Sequence, residues 1–222
     1  MLNLLIIIIL SVNLVSASMV EKSFIYDDVK RSYLEFIPSN HNSKAPINLV
    51  IGLHGYSGSA SGFEKETTGM FNKSAEKYEF IAIYPQGEYF YNDANKDYSF
   101  ISSWNAFPNK KPNKEFCSLD AVIYPKYPNC ENSNRCSWTS CSDDLGFVKK
   151  IIDISKENYQ IDKVFVIGMS NGGMMAQALA CKYPNIFSGV INVVGMQPLG
   201  ASCIPEIPPI CSLYLKGGRV PD

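Results

Sequence analysis

The spacing of apolar and polar residues changes several times along this chain. Over residues 23–38, SFIYDDVKRSYLEFIP, the two alternate on both sides of Asp27 and Asp28, the pattern of an antiparallel hairpin at a sheet edge. Residues 47–55, INLVIGLHG, are almost continuously apolar, as in a strand buried on both faces. In the following SGFEKETTGMFNKSAEKY, Phe63, Met70, Phe71 and Tyr78 recur in a helix-like pattern, and FIAIYP (80–85) is another buried strand. Residues 142–159 place Leu145, Val148, Ile152 and Tyr159 along one helical face, with Ile151 beside it. Ser142 suits the N-cap of that helix, and Asp143 and Asp144 suit the positive end of its dipole. A strand at 164–167, a helix from beyond Ser170 through Ala180, and strands at 189–195 and 209–218 complete the pattern. Strands separated by helices imply an α/β fold: a mostly parallel sheet with helices on both faces.

Two regions break the pattern. Residues 1–17 hold an apolar core from Leu4 to Leu10, stay apolar to Val15, and end in Ser16 and Ala17. This is the form of a signal peptide cleaved after Ala17; a retained N-terminal anchor is the alternative. Residues 86–141 have no sustained period and contain Cys117, Cys130, Cys136 and Cys141. A long aperiodic loop is expected to be functional or cross-linked. With an export signal, these cysteines and Cys181, Cys203 and Cys211 are expected to form mainly disulfides. A four-cysteine zinc site is the rival reading, but the group lacks a tight C-x-x-C pair. The expected organisation is a signal peptide at 1–17 and one domain at 18–222, with a cysteine-stapled insertion at about 86–141.

The chain has 222 residues and a formal net charge of −1, which argues against a nucleic-acid-binding surface. The most specific chemistry lies in VFVIGMSNGGMM (164–175), where a strand runs into Gly168-Met169-Ser170-Asn171-Gly172. G-x-S-x-G between a strand and a helix is the pattern of a nucleophile elbow, in which the sharp turn leaves room only for glycine two residues either side of the serine. Ser170 is therefore the candidate nucleophile. The helix after it directs N–H groups toward a developing oxyanion. The second donor is expected from LHGYSGSASGF (53–63), where Gly55 and Gly58 allow close backbone approach, so the candidate donors are the amides of Tyr56 and Asn171. The two histidines, His41 and His54, both precede Ser170, although this elbow's usual order places the base after the serine. His41 reads as a surface-turn residue and His54 as a support for the oxyanion loop.

LHGYSGSASGF, SWNAF, CSDDLGFVKKIID and VFVIGMSNGGMMAQALACKYPNIFSGVINVVG together resemble the secreted polyhydroxybutyrate depolymerase and feruloyl esterase family, from about residue 30 to about 215. The resemblance implies an α/β-hydrolase fold, Ser170 as nucleophile, oxyanion amides from Tyr56 and Asn171, and Met169 and Trp104 near the site. It implies cleavage of aliphatic polyesters or of phenolic esters on cell-wall sugars. Where the family carries His-Gly-Thr-x-Asp, this chain has Lys216-Gly217-Gly218-Arg219-Val220-Pro221-Asp222. Val220 takes the acid's place, and Asp222 is a weak substitute. The comparison implies that the last helix, strand and histidine loop are missing and that the 222-residue chain lacks its base.

The expected protein is a secreted or periplasmic serine ester hydrolase acting on a polymeric or small ester. No metal, cofactor, nucleic acid or stable membrane association is expected. A non-catalytic polymer-binding homologue and a serine peptidase of the prolyl oligopeptidase type are the alternatives. Tyr84, Tyr89, Tyr91, Tyr98, Trp104, Phe107 and Trp138 are candidates for an aromatic substrate wall.

Overall fold

A computed structural model describes residues 17–42, 44–91, 100–106, 117–118, 135–136, 140, 142–195 and 210–211. The alternating N-terminal segment forms β1 (Ser18–Tyr26) and β2 (Val29–Ile37), paired antiparallel. Asp27 and Asp28 both adopt positive φ in the turn between them. The continuous apolar runs become β3 (Ile47–Leu53) and β4 (Phe80–Pro85). Between them lie α1 (Ala60–Glu66) and α2 (Met70–Tyr78), where the apolar pattern alone suggests one helix. Thr68 at φ 54° and Gly69 at φ 70° enter the left-handed region and break the helix there.

Residues 86–141 contribute β5 (Glu88–Tyr91) antiparallel to β6 (Phe100–Ser103), and β7 (Cys117–Ser118) antiparallel to β8 (Arg135–Cys136). Then come α3 (Asp144–Asn158), β9 (Ile161–Met169), α4 (Asn171–Lys182), β10 (Gly189–Val193) and β11 (Ile210–Cys211). The rest of the strand expected at 209–218 lies outside the described residues. The N-cap of α3 is Asp143, not Ser142: its carboxylate accepts from the Gly146 N–H at 3.1 Å. Asp143 also accepts from the Tyr26 hydroxyl at 2.9 Å, tying the cap to β1.

Among the described residues the main sheet has seven strands in the order β1-β2-β4-β3-β9-β10-β11. From β4 to β11 the neighbours run parallel, and β2 joins β4 antiparallel. Successive side chains of β9 point to opposite faces. Val164 and Val166 join the core beneath α3 and α4, while Ile167 packs with Phe63 and Tyr84 on the face covered by α1 and α2. The larger core contains Leu49, Ile51, Phe147, Ile151 and Met175, each fully buried. Truncating a phenylalanine such as Phe147 to alanine costs roughly 3–5 kcal/mol through lost burial and the cavity left behind.

Candidate active site

The expected elbow forms at the carboxyl end of β9. Ser170 takes φ 54° and ψ −118°, a conformation disfavoured for a residue with a Cβ. Its N–H donates to the Val193 carbonyl at 2.8 Å, which anchors the turn to β10, and its side chain is on the exposed side. The flanking glycines are there for space. A Cβ on Gly168 would stand 1.9 Å from the Gly172 oxygen, and one on Gly172 would stand 2.2 Å from the Leu53 oxygen.

The second half of the site begins where β3 ends. Gly55 passes beside the serine, so that a Cβ built on it would lie 3.5 Å from the Ser170 Cβ. Tyr56 and Ser57 form the turn that follows, with Ser57 at φ 59°. The loop is held on several sides: the Ser57 N–H donates to the Ser102 carbonyl at 2.8 Å, and the Gly58 N–H donates to the Gly55 carbonyl at 3.0 Å. The Ser102 hydroxyl donates to the Gly58 carbonyl. Asn171 opens α4, where the first N–H groups have no acceptor within the helix. The loop that bears Tyr56 and the helix start that bears Asn171 therefore converge beside Ser170.

His54 is fully buried. Its Nε2 accepts from the Gly87 N–H at 3.0 Å, so the proton sits on Nδ1, which donates to the Gly55 carbonyl at 2.7 Å. Burial pushes its pKa down to about 4, while the bond to Gly55 acts the other way. A neutral imidazole with both nitrogens occupied supports the loop and has no lone pair to offer a serine hydroxyl. His41 packs edge-on to Tyr159, with ring centres 5.8 Å apart. Tyr159 precedes β9 and Ser170 follows it; nine residues of strand span about 30 Å. Neither histidine is placed to take the serine's proton.

Three features of this region are not visible in local sequence patterns. Trp104 is fully buried with its ring against His54, centroids 4.8 Å apart, so it is not part of a substrate-facing wall. Tyr84 is buried too, whereas Tyr89 is exposed; Tyr98, Phe107 and Trp138 lie outside the described residues, as does the Tyr91 side chain. Asp144 does more than meet a helix dipole. It is a buried acceptor for Arg31, the Asn105 N–H and the Ser140 hydroxyl, joining β2, the insertion and α3. Glu88 is 5% exposed, with no hydrogen-bond partner for either carboxylate oxygen among the described residues. Burial, helped by Asp144 and Asp27 and opposed by Arg31, pushes its pKa up to about 7. An apolar cleft of about 180 Å³ adjoins the elbow, lined by Phe63, Glu66, Thr67, Ile167, Met169 and Val193.

No family model matches the chain. It is 32% identical over 83 residues to poly(3-hydroxyalkanoate) depolymerase C of Paucimonas lemoignei, a match covering 33% of this chain and 20% of that protein. It is 27% identical over 170 residues to acetylxylan esterase A of Talaromyces purpureogenus, covering 76% of this chain and 34% of that one. A solved ferulic acid esterase superposes with a TM-score of 0.53 at 13% identity, over 82% of this chain and 59% of the other. The chain has the α/β-hydrolase fold, and its named relatives are a polyester depolymerase and esterases. It spans between a fifth and about a third of those two curated relatives.

Proposed function

We propose that this chain carries the nucleophile and oxyanion hole of a secreted serine carboxylic ester hydrolase. The observation that carries the reading is the strained Ser170 turn between β9 and α4, with the Gly55–Tyr56 loop beside it. In the proposed reaction the Ser170 hydroxyl loses its proton to a base and attacks the ester carbonyl carbon. The carbonyl oxygen becomes an oxyanion, which the N–H groups of Tyr56 and Asn171 stabilise. The C–O bond to the alcohol then breaks, the alcohol leaves with a proton, and water hydrolyses the acyl-serine. The similarities to a polyester depolymerase and an acetylxylan esterase support an ester substrate of a polymer.

On this reading neither His41 nor His54 serves as that base. His54's buried, doubly bonded ring and His41's place at the far end of β9 support this. On this reading the 222-residue chain reacts slowly at Ser170. Export through cleavage after Ala17, and a cysteine-stapled insertion within the single domain, belong to the same proposal; the apolar leader and the cysteine content support them. Incubation with a fluorophosphonate followed by peptide mapping tests the reading. A single adduct on Ser170 is expected, absent in Ser170→Ala. No adduct at Ser170 under any condition would favour a non-catalytic binding homologue.

A further inference from the structure

The two proposed oxyanion donors sit on segments far apart in the chain, Tyr56 after β3 and Asn171 at the start of α4. β3 and β9 pair directly up to Leu53 and Gly168, and beyond that pairing Trp104 ties the two segments together. The Trp104 backbone N–H donates to the Asn171 side-chain oxygen at 2.7 Å, and the Asn171 amide nitrogen donates back to the Trp104 carbonyl at 3.2 Å. This reciprocal pair imitates a rung of β-sheet and fixes the first residue of α4. The Trp104 indole N–H donates to the His54 carbonyl at 2.8 Å, and the ring lies against the imidazole at a tilt of 38°. His54 passes the constraint on through its bond to the Gly55 carbonyl, next to Tyr56. Trp104 and Asn171 are 0% and 4% exposed, so water does not compete for these bonds.

We infer that Trp104 and the Asn171 side chain are positioning residues that set the distance between the two oxyanion donors. The inference rests on the oxyanion reading above. The constraint runs from Asn171 through Trp104 to His54 and Gly55. Trp104 lies directly after β6 and within the insertion. That makes this part of the insertion a component of the catalytic frame. An asparagine suits this place because only a side chain with one acceptor and one donor can answer both a backbone N–H and a backbone carbonyl. Aspartate can do so only when protonated, since the anion would set a second oxygen against the Trp104 carbonyl.

The test compares the full chain with Trp104→Phe, Asn171→Ala and Asn171→Asp. Two readouts are used: hydrogen exchange of backbone amides, and the rate of fluorophosphonate labelling at Ser170. Trp104→Phe and Asn171→Ala should speed exchange in peptides covering residues 54–58 and 170–174, leaving β3, β4 and β9 at the wild-type rate. Both should slow labelling by about tenfold or more, the scale of a compromised oxyanion donor. Asn171→Asp should match wild type in its exchange pattern at acidic pH and match Asn171→Ala once its carboxyl ionises. A pure packing role would give no such titration. Unchanged exchange at 54–58 and 170–174, or acceleration spread evenly over the sheet, would overturn the inference. Absence of labelling in the wild-type chain would count against the hydrolase reading alone, because the exchange measurement needs no reaction at Ser170.

Discussion

Asp144 and Arg31 form an ion pair at 2.6 Å with side chains 0% and 4% exposed. The arginine also lies over the Phe147 ring, 4.0 Å from its centroid. A charge removed from water this completely depends on its partner. Deleting one side leaves the other uncompensated at a cost of about 3–5 kcal/mol. We expect Asp144→Ala to lower stability by about that amount and to loosen the segment around Asn105, whose N–H the carboxylate accepts at 2.7 Å. Asp144→Asn should lose less, since its amide oxygen can still accept. Urea unfolding of the variants checks this; a change below about 1 kcal/mol in Asp144→Ala would mean the pair contributes little.

Stability should vary with pH in two opposed ways. His54 falls from an ordinary 6.5 to about 4 in the folded chain through burial, so the unfolded state binds a proton first. The stabilisation from keeping it neutral is present above pH 6.5 and is lost as pH falls toward 4. Glu88 rises from an ordinary 4.5 to about 7, again chiefly through burial. Its contribution is present below pH 4.5 and is lost as pH rises through 7. The two windows, about 4–6.5 for His54 and about 4.5–7 for Glu88, overlap, so the opposed slopes nearly cancel in the wild-type chain. Glu88→Gln should remove the opposing fall and leave the His54 rise, on the order of 3 kcal/mol between pH 4 and 6.5 in thermal unfolding. An unchanged pH profile in Glu88→Gln would show that Glu88 does not offset His54.

The short β7–β8 ladder sets Cys117 opposite Cys136. Residues facing each other across antiparallel strands lie about 4.5–5.5 Å apart at Cα, within the range a disulfide spans. Cys181 on α4 is disulfide-bonded. We expect a non-reducing peptide map of the native chain to contain a Cys117–Cys136 link and at least two disulfides in total. Seven free thiols in the native protein would contradict this.

Local pattern revealed the frame of this protein but not its bracing. β3, β4 and β9 were legible because a strand covered on both faces must be apolar throughout. The elbow was legible because Gly168 answers a clash with Gly172, four residues on. The break between α1 and α2 was not, since apolar spacing says nothing about the left-handed φ of Thr68 and Gly69. Trp104 was expected near the site, but its burial and its role could not be read from an aperiodic segment. Its partners lie 50 and 67 positions away in the chain. Asp144 likewise looks like a helix-start acid until β2 and the insertion fold around it.

We propose Ser170 as an elbow nucleophile for which neither His41 nor His54 acts as base. The most direct test is the pH dependence of fluorophosphonate labelling at Ser170, measured from pH 6 to 9 on the full chain. Without a histidine base, reactivity follows the small alkoxide fraction, and the rate should climb about tenfold per pH unit with no plateau. A histidine acting as base would give a rate that levels off above its own pKa. A plateau across this range, lost on substitution of His54, would contradict the account; a steady climb with the adduct confined to Ser170 is the result it predicts.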